Sequence, residues 1–235
     1  MEEREVTYGS GDVTMTGYLV DGSRGAPAPG VLIAHEALGR DERMTVWARK
    51  LAKQGYVAFA LDLYGEPFPL AEMTVRHDRM MATEGLMRTR AMAALDTLAD
   101  QPNVDRARLA AIGFCQGGIV VTELARARAP ILCAIGFHPG LKRPAGSLDG
   151  PIAAKLLMMV GARDPVIPPE DCAAFAAEMD AKAADWQLHL FGGVGHTYTN
   201  PRVDTLNMPG FAYDAVAERR AWAMAFSLLD EVFAG

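Results

Sequence analysis

Cysteine is scarce in this chain: three in 235 residues, Cys115, Cys133 and Cys172, an odd number without metal-ligand spacing. That excludes a disulfide framework and predicts reduced thiols in a cytoplasmic protein. Positive charge is also short, with a formal net charge of -6 and no basic cluster, which argues against a nucleic-acid partner. No apolar run approaches the roughly 18 residues that a membrane span needs. The opening Met1-Glu2-Glu3-Arg4-Glu5 lacks the basic-then-apolar order of a signal peptide. There is no Pro/Gly/Ser-rich linker and no internal repeat. Gly22 to Gly30 is short and reads as a surface loop. A single domain over residues 1–235 is therefore expected, because half the residues are hydrophobic and can fill one large core.

What is present is an alternation of strand and helix patterns. Arg4 to Tyr8 and Val13 to Val20 read as two opening strands, the second half-exposed and antiparallel. Buried strands are predicted over Gly30–His35, Tyr56–Leu61, Leu109–Gly113, Ile131–Phe137, Lys155–Val160 and Trp186–Phe191. Helices are predicted over Arg43–Gln54, Pro168–Ala181 and Asp214–Phe233, with a methionine-rich helical region from Ala71 to Leu98. The order predicts an α/β fold: a mostly parallel central sheet, helices on both faces and an antiparallel N-terminal edge. Functional loops then gather at the carboxyl ends of the strands.

The segment Gly113-Phe114-Cys115-Gln116-Gly117-Gly118 joins a strand to a helix. A reactive side chain between glycines at such a turn is the layout of a nucleophile elbow. Cys115 is the candidate nucleophile. A thiol attacks as its thiolate, and a free cysteine has a pKa of about 8.5, so it needs a base. His196, on the glycine-rich loop after Trp186–Phe191, can supply one. Asp164, after Lys155–Val160, can fix the imidazole tautomer. Nucleophile, acid, histidine is the chain order of α/β-hydrolases. Glu36 ends the strand Gly30–His35 and is expected beside the thiol, where it can hold the thiol proton at rest. The backbone N–H groups of Ala37 and Gln116 are the expected oxyanion donors.

Glu36, the cysteine elbow, Gly161-Ala162-Arg163-Asp164, Gly195-His196 and the Asp62-Leu63-Tyr64 turn together resemble the dienelactone hydrolase family over nearly the whole chain. The resemblance implies an α/β-hydrolase that opens small ester or lactone bonds with no metal or cofactor. It also implies that Glu36 pairs with the thiol until substrate displaces it. Family members that cleave dienelactone hold its carboxylate with arginines. Arg76 or Arg79 could match one. The other falls four residues after the histidine, where this chain has Asn200. Asparagine carries no charge, so anion binding there is weakened. His138, Tyr198 and Asn200 are the remaining candidates for substrate contact. Two other readings stay open: a broad carboxylesterase or thioesterase indifferent to anionic lactones, and a non-catalytic thiol module that senses redox state or binds.

Overall fold

Side-chain alternation along the central strands divides the apolar residues into two layers. Val31 and Ile33 of β3 (Ala28–Ala34), Ala110 and Ile112 of β5 (Val104–Phe114), and Cys133 and Ile135 of β6 (Cys133–Phe137) face one way. They pack on Trp47 of α1 (Glu42–Ala52) and Trp222 of α6 (Ala215–Phe233). Leu32, Ala111 and Ala134 face the other way. They meet α3 (Leu86–Ala99), α4 (Gln116–Arg126) and α5 (Pro169–Ala181). A strand buried on both faces must be apolar throughout, which is why these segments read as continuous runs.

The computed structural model describes residues 1–234. The remaining strands are β1 (Glu2–Ser10), β2 (Val13–Asp21), β4 (Val57–Ala60), β7 (Lys155–Gly161) and β8 (Trp186–Phe191). Among the described residues eight strands form one sheet, in the order β1-β2-β4-β3-β5-β6-β7-β8. The pairs β1–β2 and β2–β4 are antiparallel, and the pairs from β4 to β8 are parallel. This is the expected mostly parallel sheet with an antiparallel N-terminal edge. No described helix is long and apolar enough to cross a membrane.

Two expectations change. The region Ala71–Leu98 divides into α2 (Met73–Ala82) and α3, because Thr83 is extended and Gly85 turns left-handed at φ 65°. Of its methionines, Met80 and Met87 enter the core while Met73 faces a cleft. β5 begins at Val104, earlier than predicted, because Ala28 and Pro29 pair with Val104 and Asp105 ahead of a register shift.

The β5–α4 turn is held by backbone packing. Cys115 sits at φ 52°. This is a left-handed conformation that a side chain adopts only when its surroundings over-determine it. A Cβ on Gly113 would lie 1.9 Å from the Gly117 carbonyl oxygen, and one on Gly117 would lie 2.2 Å from the Ala34 carbonyl oxygen. Both obstacles are backbone, so neither can swing aside. Gly113→Ala should therefore lower stability by on the order of 3 kcal/mol in urea unfolding. Gly192→Ala, in open space, should change it by less than about 0.5 kcal/mol. Equal effects would contradict this account of the turn.

Candidate active site

Three carboxyl-end loops meet above the sheet. Cys115 is the half-buried residue between β5 and α4, its N–H donating to Phe137 at 3.1 Å. Asp164 follows β7. Its Oδ1 accepts from the backbone N–H groups of Val166 (2.8 Å) and Ile167 (3.1 Å), which leaves Oδ2 to meet His196 Nδ1 at 2.6 Å. The His196 loop after β8 is fixed by its own backbone: His196 N–H donates to Gly210 at 2.8 Å, and Ala212 N–H donates to His196 at 3.2 Å. The ring is buried against Phe211, with centroids 5.0 Å apart.

Burial works against a charged imidazole, but the neighbouring Cys115 sulfur and the Asp164 carboxylate outweigh it and raise His196 to about 10. Nδ1 donates to Asp164. Nε2 has no aligned hydrogen-bond partner, and the thiol is its polar neighbour. The Asp164 carboxylate, the His196 ring and the Cys115 sulfur are thus successive neighbours.

Glu36 is placed differently from the expectation. Its carboxyl faces Asn200 and lies 3.8 Å from His138 Nε2. Among the described residues it makes no hydrogen bond to Cys115. Asn200 Oδ1 is taken by the Arg202 N–H at 3.0 Å, so its amide nitrogen is what it can offer Glu36. Burial raises the Glu36 carboxyl to about 7; nearby His196 and Arg43 oppose that shift and Asp41 adds to it. Ala37 lines the same cleft, and Gln116 opens α4, where an N–H has no intrahelical acceptor.

The cleft over Cys115 encloses about 450 Å³, and its walls include Leu70, Met73, Leu206, Met208 and Phe211. Arg76 and Arg79 do not reach it. They line a separate cleft with Arg90, and Arg76 is bound to Glu66 (3.1 Å) and Glu72 (2.9 Å). Helix α2 turns Met73, Thr74 and His77 to the site, so the arginines one residue before and two after His77 point elsewhere. Arg202 borders the Cys115 cleft but pairs with Glu42 at 2.5 Å. His138 and Tyr198 are fully buried behind the histidine loop rather than open to substrate. His138 Nε2 meets Thr199 Oγ1 at 2.9 Å, and the Tyr198 hydroxyl donates to Met159 at 3.1 Å. Of the five candidates for substrate contact, Asn200 alone lines the cleft. Met73 comes from the methionine-rich region noted in the sequence, but His77 and the other apolar walls were not legible: a lone histidine in a polar helix carries no distinguishing signal.

A doubly covered parallel sheet with a strained elbow after its fifth strand and an acid–histidine pair on later loops defines an α/β-hydrolase. Residues 15–233 match the model of the dienelactone hydrolase family, and the chain belongs to that family. It is accordingly a hydrolase of ester or lactone bonds. It is similar to the solved structure of a dienelactone hydrolase-like promiscuous phosphotriesterase from metagenomic libraries, with 36% identity and a TM-score of 0.94 over 99% of this chain and 98% of the other. A probable 2-oxo-3-(5-oxofuran-2-ylidene)propanoate lactonase of Bradyrhizobium is 27% identical over 83% of this chain and 80% of its own. An uncharacterized protein of Caenorhabditis elegans is 33% identical over 64% of this chain and 96% of its own.

The raised Glu36 carboxyl has a stability signature. Between pH 4.5 and about 7 the native state keeps a proton that the unfolded chain has released. Stability therefore falls as pH rises through that window. Glu36→Gln should remove the fall, so urea titrations of the two proteins should diverge from pH 4.5 to 7. The His196 contribution has its own window, present below 6.5 and lost toward 10. Below pH 6.5 both folded and unfolded states hold that proton, so the divergence up to there belongs to Glu36. Curves that stay parallel from pH 4.5 would refute the assignment.

Proposed function

We propose that this chain is a cysteine-dependent carboxylesterase of small, neutral, apolar esters and lactones, working through an acyl-thioester on Cys115. The reading is carried by the succession of Asp164, His196 and Cys115 under a cleft whose exposed wall is mostly apolar. His196 Nε2 takes the thiol proton, and Asp164 stabilises the resulting imidazolium. The thiolate forms a bond to the ester carbon while the carbonyl electrons move to oxygen, facing the Ala37 and Gln116 N–H groups. Collapse of this intermediate breaks the C–O bond, and the imidazolium proton goes to the leaving alkoxide. Water then attacks the thioester, giving a proton to His196. The C–S bond breaks and the proton returns to sulfur.

Two features favour neutral over anionic substrates. Arg76 and Arg79 lie outside the cleft, and Arg202 at its rim is already paired. An anionic lactone would also meet Glu36, whose ionised form above about pH 7 repels it. Glu36 is assigned a supporting role: it adds negative charge near His196 once ionised, which favours the imidazolium. The pairing of Glu36 with the resting thiol, implied by the family resemblance, is less well supported by a carboxyl directed at Asn200. The phosphotriesterase relative makes neutral phosphotriesters a second substrate class for the same cleft. A redox or binding module is disfavoured, because such a protein has no need of the acid–histidine pair.

Steady-state kinetics test the reading. Neutral aryl and alkyl esters should be hydrolysed at least as fast as carboxylate-bearing lactones of similar size. Cys115→Ala should reduce kcat/KM on all of them by about 10³-fold or more while circular dichroism is unchanged. Preference for the anionic lactone, or turnover surviving in Cys115→Ala, would overturn it.

A further inference from the structure

A chain of buried polar groups connects the expected oxyanion donors to the cleft wall. The Tyr64 hydroxyl lies 3.1 Å from the Ala37 carbonyl oxygen and 3.0 Å from Gln116 Oε1. His77 Nδ1 lies 2.7 Å from the same Gln116 atom, while Gln116 Nε2 is buried without a partner. One hydroxyl proton cannot serve both the Ala37 carbonyl and an amide oxygen. Proton accounting favours the Gln116 amide turned over, because its two ends are near-identical in shape. Its NH₂ then donates one hydrogen to Tyr64 and one to His77 Nδ1, and the Tyr64 proton goes to Ala37. The atom left unpartnered becomes a carbonyl oxygen rather than an amide nitrogen with two hydrogens, a smaller penalty.

That accounting fixes the His77 tautomer. If Nδ1 accepts, the neutral ring carries its hydrogen on Nε2. His77 borders the cleft together with Cys115 and His196, and its Nε2 is neither bonded nor buried. We propose that His77 donates a hydrogen bond from Nε2 to the bridging oxygen of the ester, making it a further catalytic residue with Gln116 and Tyr64 as its positioning residues. The proposal rests on the esterase reading above. It assigns the oxygen because the two backbone N–H groups already serve the carbonyl. His77 is also tied to the residue next to the nucleophile and lines the same cleft as Cys115. As the C–O bond breaks, charge grows on that oxygen, and a donor held there strengthens in the transition state. The proton delivered still comes from His196, and His77 keeps its own.

The test compares kcat/KM for the ethyl ester and the S-ethyl thioester of one acid, since sulfur is a weak acceptor. His77→Phe should lose roughly tenfold or more on the oxygen ester and less than about threefold on the thioester. His77→Gln, which keeps an N–H near the Nε2 position, should recover most of the loss. Equal losses on both esters, or none on either, would overturn the role of His77 while leaving the esterase reading intact. Wild-type protein that turns over neither ester would sink the esterase reading and this proposal with it.

Discussion

Gly117 approaches the end of β3 so closely that a methyl group there would strike the Ala34 carbonyl oxygen. This contact joins the strand that leads to Glu36 and Ala37 to the helix that begins after Cys115. It allows the backbone at Cys115 to stay left-handed, and it sets the separation of the two N–H groups expected to hold an oxyanion. Neither segment can move without the other, because the obstacle on each side is main chain. The Tyr64 hydroxyl, between Ala37 and Gln116, braces the same junction from the far side. A rigid frame matters for catalysis because donors that need not reorganise are worth far more than donors that must be gathered.

On this frame the charges are arranged by burial and pairing. Two backbone N–H groups occupy one oxygen of Asp164, so the other is left for the imidazole and cannot rotate away. His196 is thereby favoured as an imidazolium although it is buried. Glu36 has the opposite fate: no cation touches it, and burial brings its titration close to neutral pH. Two carboxyls above one sheet edge thus differ in surroundings: both oxygens of Asp164 are hydrogen-bonded, whereas burial dominates at Glu36.

The elbow, the acid and the histidine could be read from the chain because each follows an apolar strand and because glycine is demanded at fixed offsets. The two-layer core was legible for a related reason, since burial on both faces leaves continuous apolar runs. The substrate wall was not. Arg76 and Arg79 have the right charge for an anionic substrate, yet a helix turns by about 100° per residue. Only its axial rotation decides that His77, and not its neighbours, meets the cleft. His138 and Tyr198 sit at loop positions that open toward substrate in a linear reading. Their burial follows from how the histidine loop folds over β6 and β7, which no local pattern encodes. Glu36 lies two residues past the end of β3, but what its carboxyl meets depends on Asn200, a long-range neighbour.

The central claim is a covalent intermediate on one sulfur. Acid-quenched protein from the first turnovers of a p-nitrophenyl ester should gain the mass of one acyl group, located on the peptide containing Cys115, and should lose it with kinetics matching kcat. Full turnover without an adduct at any time, or an adduct on another residue that disappears at kcat, would contradict the account.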